Sequence, residues 1–158
     1  MGKTKHLFLI LCLFLCAQFC FAKQISFQIV QHDQRTDKVT EDSLILEDEL
    51  LNGFFETGYI ITNSPTVVSN SAADDQVLYN KALGDAWEGS SDFFIQIKLN
   101  YKNNLSTVDW TLASVSTGRT IKESSLENAV VVTDYKSLRK LSSQLISEIT
   151  KIIKSTKA

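Results

Sequence analysis

The chain has 158 residues, 44% of them hydrophobic and 22% charged, with a formal net charge of −2, six glycines and one proline. Those proportions describe one ordinary globular domain and exclude a collagen-like, a disordered or a multi-domain chain. Chemistry-bearing residues are scarce, with three cysteines, two histidines and one methionine in all, which leaves little from which to build a metal cluster or a nucleophilic triad.

Residues 1–22 read as a secretory signal peptide. Lys3 and Lys5 form a basic start, Leu7 to Phe21 is apolar apart from Gln18, and Ala22 supplies the small residue that signal peptidase requires. The apolar run is short for a membrane span. The expectation is a leader cleaved at about Ala22 and a single globular domain over 23–158, periplasmic or secreted. Cys12, Cys16 and Cys20 all lie in the leader, and the bulky Leu15 and Phe19 before Cys16 and Cys20 depart from the lipoprotein pattern. Membrane contact is expected only through an uncleaved leader or a lipid anchor. The exported chain then has no thiol for catalysis, metal binding or disulfides, and it stands on its hydrophobic core. Losing Lys3 and Lys5 leaves 14 basic against 18 acidic residues, and six of the bases follow residue 133. An acidic body with a basic final helix is no nucleic-acid footprint.

Along the exported chain, Ile25, Phe27 and Ile29 alternate with Ser26 and Gln28 as in a half-buried strand. His32 to Lys38 reads as a polar loop. Thr40 caps a helix running to about Glu56, with Glu41 and Asp42 in its first turn and Leu46, Leu50, Leu51, Phe54 and Phe55 as its apolar stripe. Gly58 stops it. Tyr59 to Ile61 start a second strand, with Pro65 at its end or on an edge. Ser71 begins a second helix, with Leu78, Ala82 and Ala86 on one stripe and Gly89 at its close.

Phe93 to Tyr101 and Val108 to Leu112 alternate strictly about Asn103-Asn104. The register predicted for this hairpin sets Lys102 opposite Leu105, Leu99 opposite Val108, Ile97 opposite Trp110 and Ile95 opposite Leu112, so that the apolar pairs share one face. Thr117-Gly118 turns into a returning strand within Arg119 to about Val132. Its register is not fixed by periodicity, because Ile121 and Leu126 fall on opposite faces. The last element is an amphipathic helix with Leu138, Leu141, Leu145, Ile149, Ile152 and Ile153 on one face. The order β-α-β-α-β-β-β-α predicts an α/β (α+β) fold, a mixed sheet of about five strands with an antiparallel meander and three helices.

His32 is the one histidine outside the leader, and beside Asp33 it reads as a solvated loop residue. No G-x-S-x-G and no phosphate-binding glycine loop occur. No catalytic residue, cofactor or metal site is therefore expected. Carboxylates remain open, with Glu88 and Asp92 or Asp74 and Asp75 as acid–base pairs, although Asp74 and Asp75 also suit a helix N-terminus. Trp110 reads as core. Trp87 and Phe94 are the interface candidates, Phe94 with the alternative of packing beneath a helix that covers the second face of the sheet. Asn104-Leu105-Ser106 matches a glycosylation acceptor, a short pattern of little weight.

From about residue 40 to 155 the chain resembles a bacterial envelope superfamily that includes the TolB N-terminal domain, the lipoprotein activators of penicillin-binding proteins and the curli secretion protein. The residues that carry it are Gly53 to Ile61 after a helix, Ser91 to Ile97 entering a strand, Val115 to Ile121 around a Thr-Gly turn, and the helix Tyr135 to Ile153. Ala113 or Ser114 stands where an acid is common, Gln96 where a small residue is common, and no lipid-bearing cysteine fits the pattern. The resemblance implies a non-enzymatic accessory domain that contacts an envelope protein through a helix face or sheet edge. Two other readings stay open: a carrier of a small apolar ligand, and a carboxylate-based hydrolase.

Overall fold

A computed structural model describes residues 22–102, 104–127 and 134–156. The elements, in chain order, are β1 (Gln24–His32), α1 (Glu41–Glu56), β2 (Ile60–Val68), α2 (Ala72–Glu88), β3 (Phe93–Tyr101), β4 (Leu105–Ser114), β5 (Thr120–Glu127) and α3 (Tyr135–Ser155). They build one five-stranded mixed sheet in the order β2-β1-β3-β4-β5. β1 pairs in parallel with β2 and β3, and β3-β4-β5 is an antiparallel meander. This is the predicted α+β architecture. Residues 1–21 of the expected leader, Asn103 of the expected hairpin turn, and the expected strand residues after Glu127 lie outside the described residues.

The crossover β1-α1-β2 steps outward to the edge of the sheet. The crossover β2-α2-β3 steps back past β1. Crossovers of one hand that run in opposite directions must place their helices on opposite faces, and α1 and α2 do lie on opposite faces. α1 and α3 share the first face. There Ile25, Phe27, Ile29, Ile95, Ile97, Leu99, Trp110 and Leu112 meet Leu46, Leu50 and Phe54 of α1 and Leu138, Leu141, Leu145, Ile149 and Ile153 of α3. At Gly53 the two helices come so close that a methyl group would overlap the Ile146 side chain. β1 lies between β2 and β3 and is covered on both sides, so it is buried through its length rather than half-buried.

The caps fall where the sequence puts them. Thr40, Ser71 and Asp134 each accept from a backbone N–H in the first turn of α1, α2 and α3. Gly58 and Gly118 take positive φ at their turns, +89° and +63°. β2 runs on through Pro65 to Val68. Pro65 sits in an irregularity on an edge strand, where the ladder needs no N–H from it.

The hairpin register matches the expected one over Leu99–Val108, Ile97–Trp110 and Ile95–Leu112. Near the turn it differs: Tyr101, not Lys102, opposes Leu105, because Ser106 is an extra residue in a bulge, with its hydroxyl donating to the Asn100 carbonyl at 2.8 Å. A second bulge resolves β5. Leu112 faces Lys122 and Ala113 faces Thr120, so Ile121 is the extra residue. That shift returns Ile121 and Leu126 to the same core, against which both pack.

Candidate functional site

β1 leads through residues 33–40 to α1 on one face, and its neighbour β2 leads through residues 69–71 to α2 on the other. Adjacent parallel strands whose connections part in this way leave a crevice at their carboxyl ends. A cleft of about 950 Å³ lies there, bordered by Arg35, Ser71, Tyr101 and Lys102, with His32, Asp75 and Asn100 in its wall. Its size is at the upper end of the range for ligand sites.

The cleft wall is a polar network joining four elements. His32 is the last residue of β1 and not part of a loop, which corrects the sequence reading. Its side chain is 26% exposed and both ring nitrogens are engaged: Nε2 lies 2.8 Å from Asp75 Oδ1, and Nδ1 lies 2.9 Å from Asn100 Oδ1. Asp75, on α2, is buried. Its Oδ1 also accepts from the Ser69 hydroxyl at 2.7 Å, and its Oδ2 accepts from Lys98 Nζ at 2.9 Å. Burial pushes the Asp75 carboxyl up, but the hydrogen bonds from Lys98, Ser69 and His32 outweigh it and hold the group below its ordinary range. Asn100 Nδ2 donates to Thr107 Oγ1 at 2.9 Å and to Asp109 Oδ2 at 2.8 Å.

A second set of bonds shapes the loop above the cleft. The buried Gln31 accepts through Oε1 from Thr40 N at 2.9 Å and Ser43 Oγ at 2.8 Å, and its Nε2 donates to the Lys38 carbonyl. One side chain thus closes the 33–40 loop and seats the start of α1. Arg35 grips Asp33 with two bonds, Nε to Oδ1 at 2.9 Å and its terminal nitrogen to Oδ2 at 2.8 Å, and these hold the Asp33 carboxyl below its usual range. Burial pushes the Tyr101 phenol up.

The residues singled out from sequence scatter. Trp87, near the end of α2, is 62% exposed. Phe94 is fully buried beneath α2, its ring edge-on to Tyr79 at 5.4 Å, so the packing alternative holds and it presents no surface. Asp74 is exposed and bonded to its own cap, Ser71. Its neighbour Asp75 is not a simple helix-dipole residue but the hub of the cleft network. Asp92 accepts from the Gln24 backbone N–H at 2.7 Å and fastens the start of β1. Neither proposed acid pair therefore meets across this cleft. Among the described residues, no three metal-ligating side chains converge, and no helix is long and apolar enough to cross a membrane. Sequence reading named Asp75 only as a partner of Asp74, and it missed Lys98 and Asn100. Only the even-numbered polar side of β3, Gln96, Lys98 and Asn100, signalled that something polar lay over that face.

A family model described as "Uncharacterised protein" matches residues 24–154. The chain belongs to that family. No curated protein matches the sequence significantly. Among solved structures, TolB from Acinetobacter baumannii aligns at a TM-score of 0.50 and 12% identity, over 88% of this chain and 30% of that one. A dodecamer of a PelC point variant from Paraburkholderia phytofirmans aligns at 0.46 and 12%, over 83% and 87% of the two chains. The LpoB C-terminal domain from Escherichia coli aligns at 0.44 and 15%, over 66% and 80%. These identities speak to fold alone. At that level the resemblance read from residues 40–155 holds, and the chain spans under a third of TolB.

Proposed function

We propose that the chain is an exported, non-enzymatic interaction domain of the bacterial cell envelope, released from its leader at about Ala22. The observation that carries this reading is that three of the large exposed apolar side chains share one end of the molecule, while Leu44, Val77 and Tyr135 stand singly in the first two turns of the three helices. Trp87 ends α2, Phe55 ends α1 at 71% exposure, and Ile60 opens β2 at 52% exposure. All three fall at the end of the sheet where the parallel strands begin, opposite the cleft. Large aromatics left in water at one end of a domain are the usual anchors of a protein interface.

The cleft supports the same reading by its chemistry. A general base or nucleophile needs an atom free to face a substrate, whereas His32, Asp75 and Asn100 spend their polar atoms on one another and on their neighbours. The leader and the envelope resemblance supply the setting. An apolar-ligand carrier is less well supported, because the space between sheet and helices is filled by side chains and the large cleft is polar.

A photo-crosslinking residue placed at Trp87 in the native cell tests the proposal, with the exposed Lys151 of α3 as the control position. The expected result is a discrete envelope-protein adduct from position 87 and none from 151. Equal labelling from both positions, or turnover of a cell-wall glycan or peptide by the purified protein, overturns it.

A further inference from the structure

We propose that the outer face of the α1–α3 layer is self-complementary and pairs with the same face of a second copy of the chain. The two helices lie side by side on the sheet. They run in the same direction, since Arg139 reaches Glu49 at 3.7 Å and Ile146 packs against Gly53 further along both. Their charges are segregated. α1 carries six acids and no base, whereas α3 carries five bases and a single acid, Glu148, which accepts from Gln144. On the solvent side of α3, the exposed Lys136, Lys140, Ser143, Ser147, Lys151 and Lys154 follow one another at steps of three or four residues. They make a basic line about 27 Å long with no acid on it. Glu41, Asp48 and Glu56 are exposed along α1 beside it.

The layer does not use these charges on itself. Among the described residues, Arg139 and Glu49 form the only ion pair between the two helices, and Glu47 is turned away to Asn63 and Thr66 of β2. There the side chains of Asp48, Glu56, Lys140, Lys151 and Lys154 have neither a hydrogen bond nor an ion pair. An occupant of this face must therefore match two stripes of opposite sign whose axes lie about 8–10 Å apart. A membrane surface or a nucleic acid presents one sign, so what α3 attracts α1 repels.

A second copy supplies both stripes. Turned by a half turn about an axis parallel to the helices, it lays its α3 on α1 and its α1 on α3. A half turn about an axis across the helices would set acid on acid and base on base. With Glu49 against Arg139 and Gly53 against Ile146, Asp48 stands level with Lys140 and Glu56 with Lys151. The symmetric pairing thus brings each of these acids to a lysine of the other copy, twice per dimer. Two helices of this length side by side present roughly 600 Å², so the dimer buries about 1,200 Å², the lower limit of a stable interface. A contact of that size held by exposed charges is reversible and weakened by salt. An axis along the helices leaves the end of the sheet with Trp87 open, so the pairing neither needs nor blocks the interaction reading. A cross-linker at Lys151 joins the chain to itself, at twice its mass, and to no other protein.

Sedimentation velocity of the exported chain, which holds every described element, tests this without any envelope partner. The expected result is a monomer–dimer equilibrium at about 20 mM salt whose dissociation constant rises at least about tenfold at about 500 mM. Asp48→Lys and Lys140→Asp each set two like-charge pairs across the twofold and are expected to weaken dimerisation about ten- to a hundredfold. The double variant Asp48→Lys/Lys140→Asp exchanges the signs and restores the dimer. Both positions are exposed, and circular dichroism checks that the fold is kept. A chain that stays monomeric up to about 0.5 mM at low salt, a dimer indifferent to salt, or a double variant as weak as the single ones overturns the proposal. None of these outcomes touches the cross-linking at Trp87, so the two readings fail separately.

Discussion

The two faces of the sheet are held by different forces. On one, α1 and α3 interlock with the strands through leucine, isoleucine and phenylalanine side chains that are almost wholly buried. On the other, α2 touches the sheet through two alanines, a tyrosine and a leucine, and ties its first turns down with a carboxylate. The apolar face is insensitive to pH and is expensive to open. The polar face has its strength in charge-assisted hydrogen bonds, which depend on protonation. A domain made this way has a rigid half that fixes the fold and a second half whose hold is adjustable, and the cleft belongs to the second.

The widest gap between the faces should appear on truncating their buried side chains. Phe54→Ala and Leu145→Ala each remove fully buried apolar volume from the α1–α3 face and are expected to cost about 3–5 kcal/mol and 2–5 kcal/mol. Ala86→Gly on α2 should cost about 1 kcal/mol, mostly helix propensity. Urea unfolding measures all three. Equal losses on both faces would show that α2 is as firmly packed as α1 and α3.

Asp75→Asn comes next. It removes the negative charge and leaves one acceptor oxygen where Lys98 and His32 now use two, and a loss of about 1–3 kcal/mol is expected. The variant also isolates the acid response. The Asp75 carboxyl is lowered in the folded chain, so the unfolded chain binds more protons near the carboxylate range. Its stabilisation is present above that range and is lost as the pH falls through the folded value. The native chain should therefore lose urea resistance between pH 5 and pH 3 more steeply than Asp75→Asn does. Asp33, lowered by Arg35, contributes in the same direction and remains in both proteins.

The same contrast explains what could be read in the sequence. Local signals survived intact: the caps Thr40 and Ser71, the stripe of α3, and the hairpin register from Ile95 to Leu99. The first face was legible because its strands alternate and its helices repeat. The polar face was not, because its pairs join residues far apart in the chain with no period between them. Asp75 looked like a helix-start acid, and only the fold brings it to His32, 43 residues earlier. His32 looked like loop because the apolar alternation of β1 stops at Ile29. It is strand all the same, and Asp75 and Asn100 satisfy its side chain. In β5, one extra residue at Ile121 was enough to put two core side chains on apparently opposite faces.

The smallest effect tests whether α2 opens as a unit of its own. Its C-terminus is a Schellman turn: Ser91 N donates to the Ala86 carbonyl at 2.9 Å, and Ser90 N donates to the Trp87 carbonyl at 3.0 Å. The left-handed position in that turn is filled by Ser90, with φ of 58°, and not by Gly89, whose φ is −75°. Glycine is thus one residue away from where the backbone needs it. Ser90→Gly should relieve about 1 kcal/mol of strain, whereas Gly89→Ala should bring no such gain, since its methyl group meets the Asp85 carbonyl oxygen at a tight 3.3 Å. If the polar face opens separately from the apolar one, Ser90→Gly slows amide exchange in residues 76–88 and leaves that of residues 141–153 unaltered. Slowing of both helices together would mean that the two faces unfold as one, and that the adjustable half of the molecule is not separable from the rigid half.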